Sequence, residues 1–86
     1  MMIDVIIPAY NEQDAIAKVV TALPLNMLRE IVVVNNNSRD ATAENALAAG
    51  ATVLHETRQG YGYACLKGIE YLASESLEMR IFRKFS

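Results

Sequence analysis

The stretch EIVVVNNNSRDAT, residues 30–42, is the most informative part of this chain about its architecture. Residues 31–34 are all apolar, which is typical of a central strand covered on both faces, as in a parallel sheet. Three asparagines then end the strand, and Ser38 or Asp40 is expected to cap a helix. Gly50 stands where a left-handed residue closes such a helix. The stretch therefore predicts a strand–turn–helix unit.

A second strand–helix cycle precedes this unit, and a third follows it. The β-branched run at residues 3–7 predicts a first strand that Pro8 ends. Asn11 is expected to cap the next helix, whose apolar stripe stops at Pro24. Residues 51–55 predict a weaker third strand, which is followed by a glycine loop and a third helix. The whole chain thus alternates strands and helices.

This alternation, with its short connections, predicts an α/β protein with right-handed crossovers. We expect a three-layer αβα, Rossmann-like fold with a parallel sheet of three strands, or of four if residues 79–85 add another. Ligands bind such sheets outside the carboxyl ends of the strands. The segments at those ends, residues 8–12, 35–40 and 56–62, are also the most polar and glycine-containing parts of the chain. A binding site is therefore predicted there.

Composition limits the classes of function. The 86 residues allow one small domain, and the net charge of −2 provides no basic surface for nucleic acid. Cys65 is the single cysteine, so no intramolecular disulfide can form, which favours a reducing, cytoplasmic location. No apolar run reaches the ~18–20 residues that a membrane span needs. We expect a cytoplasmic protein with no membrane segment in this chain.

Three motifs together resemble the start of a family 2 glycosyltransferase of the GT-A fold. They are IIPAYNE (residues 6–12), EIVVVNNNSRDAT (30–42) and QGYGYACLKG (59–68), and the resemblance covers about residues 3–73. Within the family, the chain is most similar to the polyprenyl-phosphate sugar transferases, the branch of dolichol-phosphate mannose synthase. The resemblance implies a nucleotide-diphosphate-sugar donor and transfer to an acceptor hydroxyl or phosphate, with a polyprenyl phosphate as one candidate acceptor.

The resemblance also implies a nucleoside pocket formed by Pro8, Ala9, Tyr10 and Glu12. Tyr10 offers a flat apolar face to a base, and Glu12 can accept hydrogen bonds from ribose hydroxyls. The alternative is that Tyr10 is a partly buried loop aromatic. In that case Glu12 is simply a favourable charge at a helix N-terminus.

Four further residues complete the predicted nucleotide-sugar site. Asn36 matches the usually acidic position that reads the base edge, although three asparagines also suit a tight turn. Gly60, with Gly62, resembles a loop whose backbone N–H groups cradle phosphate. Arg58 and Lys67 are candidate partners of the diphosphate or nucleoside, or else solvated surface charges. The glycine pattern fails the dinucleotide fingerprint, which disfavours an unrelated Rossmann enzyme.

The family's catalytic features are missing from these residues. Its Asp-x-Asp metal motif does not occur, so we assign no catalytic and no metal-binding residue, although Mg²⁺ or Mn²⁺ is expected for the full-length family. We predict a truncated GT-A nucleotide-binding domain at residues 1–76 and an atypical basic tail at 77–86. The chain alone is expected to bind donor weakly and to be inactive. A non-catalytic nucleotide-binding or protein-interaction module is the alternative.

The predicted sheet also has an unprotected edge where further strands would pair. Small cores with open edges favour association. We therefore expect a homo-oligomer that forms through this edge or through the tail.

Overall fold

The computed structural model describes residues 3–74 in full and the backbone of residues 79–82. Strands and helices alternate along the described chain, apart from one short 3-10 helix at Leu25–Met27. The elements are β1 (Ile3–Ala9), α1 (Ile16–Ala22), β2 (Leu28–Asn35), α2 (Thr42–Ala48), β3 (Thr52–His55), α3 (Tyr61–Ala73) and β4 (Met79–Phe82).

The strands form one parallel sheet in the order β3-β2-β1-β4. The predicted α/β fold with a parallel sheet is confirmed, and the described residues contain the fourth strand. In β4, Met79 pairs with Ile3 and Phe82 with Ile6. The division into a domain at 1–76 and a tail at 77–86 stays a prediction.

The sheet carries a hydrophobic core on each face, because alternate residues of β1 and β2 point to opposite sides. On one face, side chains that include Ile7 and Val33 pack with Ile16 and Val20 of α1 and with Ala46 of α2. On the other face, side chains of β1 and β2 pack with α3, and this group consists of Ile6, Val32, Val34, Ala64 and Leu72. This arrangement is the expected three-layer αβα sandwich.

The first strand continues beyond its predicted end. β1 runs through Pro8 to Ala9, whereas the sequence predicts that Pro8 ends it. Pairing with β4 stops at Ile6, so within the described residues Pro8 pairs only with Val34 of β2. Proline is tolerated in strands where one side lacks a partner.

The helix starts also differ from the prediction. The cap predicted at Asn11 is wrong, since α1 begins at Ile16 and Asn11 adopts a left-handed backbone with φ 51°. The N-cap of α2 is Ala41, whereas the sequence predicts Ser38 or Asp40. The helix begins at Thr42, whose N–H donates a 3.0 Å hydrogen bond to the Asp40 carboxylate. Gly50 has φ 103° just after α2, which confirms its predicted role in closing the helix.

Helix α3 packs on the sheet through Ala64, Gly68 and Leu72, which are buried and spaced four residues apart. Tyr61 and Ile69 of the same helix are exposed. A Cβ on Gly68 would lie 2.7 Å from a methyl carbon of Ile6. The lack of a side chain at this position therefore sets how closely α3 approaches β1. None of the helices in the described part of the chain has the length and hydrophobicity that crossing a bilayer requires.

Candidate functional site

Three loops begin side by side at the carboxyl edge of the sheet. In the strand register Ala9 pairs with Asn35, and Asn35 pairs with His55. Each next residue continues the ladder, because Asn36 N donates to Ala9 O (2.9 Å) and Glu56 N donates to Asn35 O (3.0 Å). We call residues 10–15, 36–41 and 56–60 the first, second and third loop, and together the rim.

Hydrogen bonds tie the first loop to the second. The Asn11 N–H donates to Ser38 Oγ, and Asn11 Oδ1 accepts from the Arg39 N–H, each at 2.9 Å. The Glu12 N–H donates to Thr42 Oγ1 at 2.8 Å. Asn11 is therefore a link between loops, which explains why it does not cap α1.

The amide of Asn36 ties the second loop to the third. Asn36 is buried, and its Nδ2 donates to the carbonyls of Glu56 (2.9 Å) and Arg58 (2.8 Å). Its Oδ1 accepts from the Gly60 N–H at 2.8 Å. Both amide N–H groups are thus occupied within the protein, and only the second lone pair of Oδ1 is left for a ligand. The base-edge role of Asn36 stays a prediction, and in this conformation it is limited to accepting a hydrogen bond.

The neighbouring Asn37 supports the alternative that the asparagines suit a tight turn. It adopts φ 66°, the left-handed region that asparagine tolerates better than most residues. Its Nδ2 donates to Thr57 O (2.8 Å) and to Gln59 Oε1 (3.0 Å). The asparagine run therefore both forms the turn and holds the third loop.

An ion pair between a buried carboxylate and a half-exposed arginine organises the third loop. Glu56, only 5% exposed, accepts from Arg58 Nε (3.0 Å), Arg58 Nη2 (2.9 Å) and the Arg58 backbone N–H (2.8 Å). The guanidinium carbon lies 4.6 Å from the centre of the Tyr63 ring, a cation–π contact. The bonds from Arg58, helped by the charge of Lys67, lower the pKa of Glu56 to about 2. The Arg58 side chain remains half exposed.

The predicted nucleoside-pocket residues fall into two groups. Tyr10 is 44% exposed on the rim, and the partly buried Glu12 carboxylate has no hydrogen bond among the residues that the structure describes. Both can reach a ligand. Pro8 and Ala9 lie buried at the end of β1, so in this conformation their side chains pack beneath the rim.

Gly60 leads from the third loop into α3. Its φ of 131° and ψ of 149° belong to a region that is essentially restricted to glycine. With Gln59, Gly62, Tyr63 and Leu66 it lines a shallow depression of about 330 Å³. Lys67 is partly buried on α3, near enough to act electrostatically on Glu56.

The rim residues do not form a metal site. Nowhere in residues 3–74 do three or more His, Cys, Asp or Glu side chains come together in a way that could hold a metal ion. The described residues therefore do not fit the Mg²⁺ or Mn²⁺ expected for the full-length family.

Sequence reasoning missed Glu56 and Tyr63. The available signal was an acid directly after the third strand, two residues before an arginine and seven before an aromatic residue. That pattern is common on protein surfaces, and only the burial of Glu56 distinguishes it here. Tyr10, Asn36 and Arg58, predicted to share one edge of the sheet, do follow its adjacent strand ends.

The fold and the rim define a class, namely Rossmann-like α/β domains that bind ligands beyond the carboxyl ends of a parallel sheet. Within that class, residues 4–77 match the family model described as Glycosyl transferase family 2. The chain belongs to this family.

Curated and solved relatives agree with this assignment. Protein RfbJ of Shigella flexneri is 51% identical over 61 residues, which cover 70% of this chain and 47% of RfbJ. The 4,4'-diaponeurosporenoate glycosyltransferase of Staphylococcus haemolyticus is 37% identical over 83 residues, covering 87% of this chain and 22% of that enzyme.

Among solved structures, one of glucosyl-3-phosphoglycerate synthase from Mycobacterium tuberculosis superposes with a TM-score of 0.81 and 28% identity. That crystal contains Mn²⁺, UDP and glucosyl-3-phosphoglycerate. The match covers 96% of this chain and 33% of the synthase. The chain thus spans less than half the length of each of these relatives.

Proposed function

We propose that this chain is the nucleotide-binding part of a glycosyltransferase that moves a sugar from a nucleotide-diphosphate sugar to an acceptor. The observation that carries the proposal is the rim, where Tyr10, Asn36 and Arg58 extend from three adjacent strand ends. Family membership and a solved relative that holds UDP support the choice of ligand.

The nucleoside is proposed to bind over the first and second loops. The exposed ring of Tyr10 stacks on the base, and the Glu12 carboxylate accepts hydrogen bonds from the ribose hydroxyls. Asn36 Oδ1 accepts from a base N–H through its remaining lone pair, while its amide keeps the third loop in place. Pro8 and Ala9 form the floor of this pocket.

The diphosphate is proposed to bind at the third loop. The half-exposed guanidinium of Arg58 and the ammonium of Lys67 attract an anion, while the carboxylates of Glu56 and Glu70 balance their two charges. Gly60 allows the backbone to approach the phosphates without a side chain in between. Arg58 and Lys67 provide the charge-assisted hydrogen bonds.

Catalysis is not assigned to the described residues. Solved relatives contain Mn²⁺ or Mg²⁺ together with UDP, and we propose that the full-length family member uses such an ion. Residues 3–74 hold no carboxylate cluster for the ion, so their role is limited to holding the donor. We expect the chain alone to bind donor weakly and to transfer no sugar.

We also propose a polyprenyl phosphate as the acceptor. The motif resemblance alone supports this proposal, and assaying the full-length protein with polyprenyl phosphate and with soluble acceptors would test it.

Two further proposals concern location and association. A cytoplasmic location agrees with the single cysteine. We also propose that copies of the chain associate through an open edge of the sheet. No observation favours the alternative of a non-catalytic interaction module.

Calorimetric titration with nucleoside diphosphates tests the proposed function. UDP, GDP and dTDP present an N–H beside a carbonyl on the base, whereas CDP keeps the ribose and diphosphate of UDP but lacks that N–H. We expect one of the first three to bind with a dissociation constant on the order of 1 mM or lower. CDP should bind several-fold more weakly than UDP if UDP is that ligand. Absence of heat for every diphosphate at several millimolar would contradict the proposal.

A further inference from the structure

The contacts of Glu56 differ from those of an ordinary surface ion pair, because its carboxylate is buried. A buried carboxylate loses its hydration, so it is stable only where hydrogen bonds replace the lost water. Here three N–H groups of Arg58 replace it, two from the guanidinium and one from the backbone. The proposed nucleotide contacts do not involve this carboxylate, so they do not explain why it is buried.

The consequence is that Arg58 is fixed from several directions. Glu56 holds the guanidinium edge through Nε and Nη2, and the Tyr63 ring covers one of its faces. The Asn36 amide holds the backbone by donating to the Arg58 carbonyl. Arginine has five side-chain N–H groups, so these two bonds leave three for a ligand. The Arg58 side chain is half exposed, so a ligand can reach it.

We infer that Glu56 is a positioning residue of the nucleotide-sugar site, which acts by holding Arg58 in a single orientation for the donor's diphosphate. This inference rests on the proposed function. An arginine held in advance keeps the geometry that matches phosphate oxygens and loses less freedom when the ligand binds. Glu56 itself touches no ligand.

The charges around Arg58 balance one another. Glu56 and Glu70 act on the Arg58 guanidinium and Lys67 acts on Glu56, so these four groups carry no net charge. The preference for an anion comes from the remaining guanidinium N–H groups of Arg58, which make stronger, charge-assisted hydrogen bonds to a diphosphate than to a neutral sugar hydroxyl.

The test compares the binding of UDP and of uridine by variants of the chain. Glu56→Gln and Arg58→Ala should each weaken UDP binding by about tenfold, because an ordered charge-assisted contact is lost. Uridine lacks the diphosphate, so its affinity should change less than about twofold. The double variant should bind UDP no more weakly than Arg58→Ala alone, because Glu56 acts through Arg58. Glu44→Gln and Lys18→Ala remove the same charges from exposed helix positions and should leave both affinities unchanged.

Each outcome has a distinct meaning. If the unaltered chain binds no UDP, GDP or dTDP, the proposed function fails and this inference fails with it. If the chain binds UDP but Glu56→Gln binds it equally well, or if Glu56→Gln still weakens binding in the Arg58→Ala background, only the positioning role is overturned.

A ligand-free measurement covers the case in which Glu56→Gln does not fold. In ¹⁵N NMR spectra of the unaltered chain, the Nε–H of Arg58 should give a resolved, slowly exchanging signal, which Arg58→Ala identifies by its loss. A signal that exchanges as fast as that of an exposed arginine would show that Glu56 does not hold the side chain.

Discussion

The Asn36 side chain shows how one amide can fix a loop of the proposed binding site. It donates twice and accepts once, and each bond goes to the backbone of the third loop. A carboxylate of the same shape could accept from Gly60, but it could not donate to the two carbonyls. Asparagine therefore matches the contacts at this position better than the acid that the motif resemblance implies.

We predict that Asn36→Asp destabilises the chain by about 2–4 kcal/mol, because a buried side chain loses two hydrogen bonds and a charge faces two carbonyl oxygens. Urea denaturation at pH 7 measures the change in the free energy of unfolding. Asn26→Asp, which adds the same charge at an exposed position, should change it by less than about 0.5 kcal/mol. Equal stability of the two variants would show that the Asn36 amide does not hold the loop.

Glu56 gives a prediction about pH. Its pKa falls from an ordinary 4.5 to about 2 in the folded chain, through the bonds from Arg58 and the charge of Lys67. A lowered pKa means that its stabilising contribution is complete above about pH 4.5 and disappears as the pH falls towards 2. Between these values Glu56→Gln should lose stability less steeply than the unaltered chain, as measured by urea denaturation at several pH values.

Glu44→Gln is the control for that series, because Glu44 is exposed on α2. It should keep the slope of the unaltered chain. Some slope remains in Glu56→Gln as well, since hydrogen bonds from Thr42 also lower the pKa of Asp40. Parallel curves for the unaltered chain and Glu56→Gln would mean that the ion pair does not contribute to stability.

Among the elements, α3 depends most on a glycine, because the packing of this helix on β1 leaves no room for a side chain at Gly68. Gly68 faces Ile6, and a methyl group there would overlap the isoleucine side chain. Gly68→Ala should therefore destabilise the chain by about 1–3 kcal/mol, even though alanine favours helices. Thermal and urea unfolding would measure the loss.

Gly62 provides the comparison within the same helix. A Cβ there meets no atom within 4 Å, and its φ is not positive. Gly62→Ala should leave stability unchanged or raise it by less than about 1 kcal/mol. If Gly68→Ala were as stable as Gly62→Ala, α3 would not pack on β1 as described.

The elements also show what sequence could and could not predict. Apolar runs placed β1, β2 and β3 and the order of the helices, because periodicity is a local signal. The helix starts were missed because Asn11 bonds to residues 27 and 28 positions away, which no local pattern contains. The position of the rim could be predicted from topology, since the carboxyl ends of parallel strands meet at one edge of the sheet. The burial of Glu56 could not be predicted in this way, because it depends on how the third loop folds back.

For the whole molecule, the edges of the sheet affect whether two copies of the chain associate. The sequence predicts an open edge where a fourth strand would pair, but β4 pairs with β1 at that edge. Strand β3 is at the other edge of the sheet, with no strand beside its outer side among the described residues. Such an edge favours pairing with a second copy. Light scattering should detect dimers at high micromolar concentration, and replacing Val53 with proline should reduce them by removing a backbone donor from β3. A monomer at that concentration would contradict this prediction.

The three loops of the rim are proposed to form one nucleoside diphosphate site, and the function of the whole molecule depends on that site. Recording ¹H–¹⁵N spectra of the chain during titration with UDP, GDP or dTDP tests it at every amide. We predict that shifts concentrate at Tyr10, Asn36, Arg58 and Gly60. Amides at the opposite end of the sheet, where Leu25, Arg29 and Gly50 line a cavity of about 390 Å³, should stay unchanged. Shifts centred on that cavity, or none at the rim at saturating ligand, would show that the three loops do not form such a site.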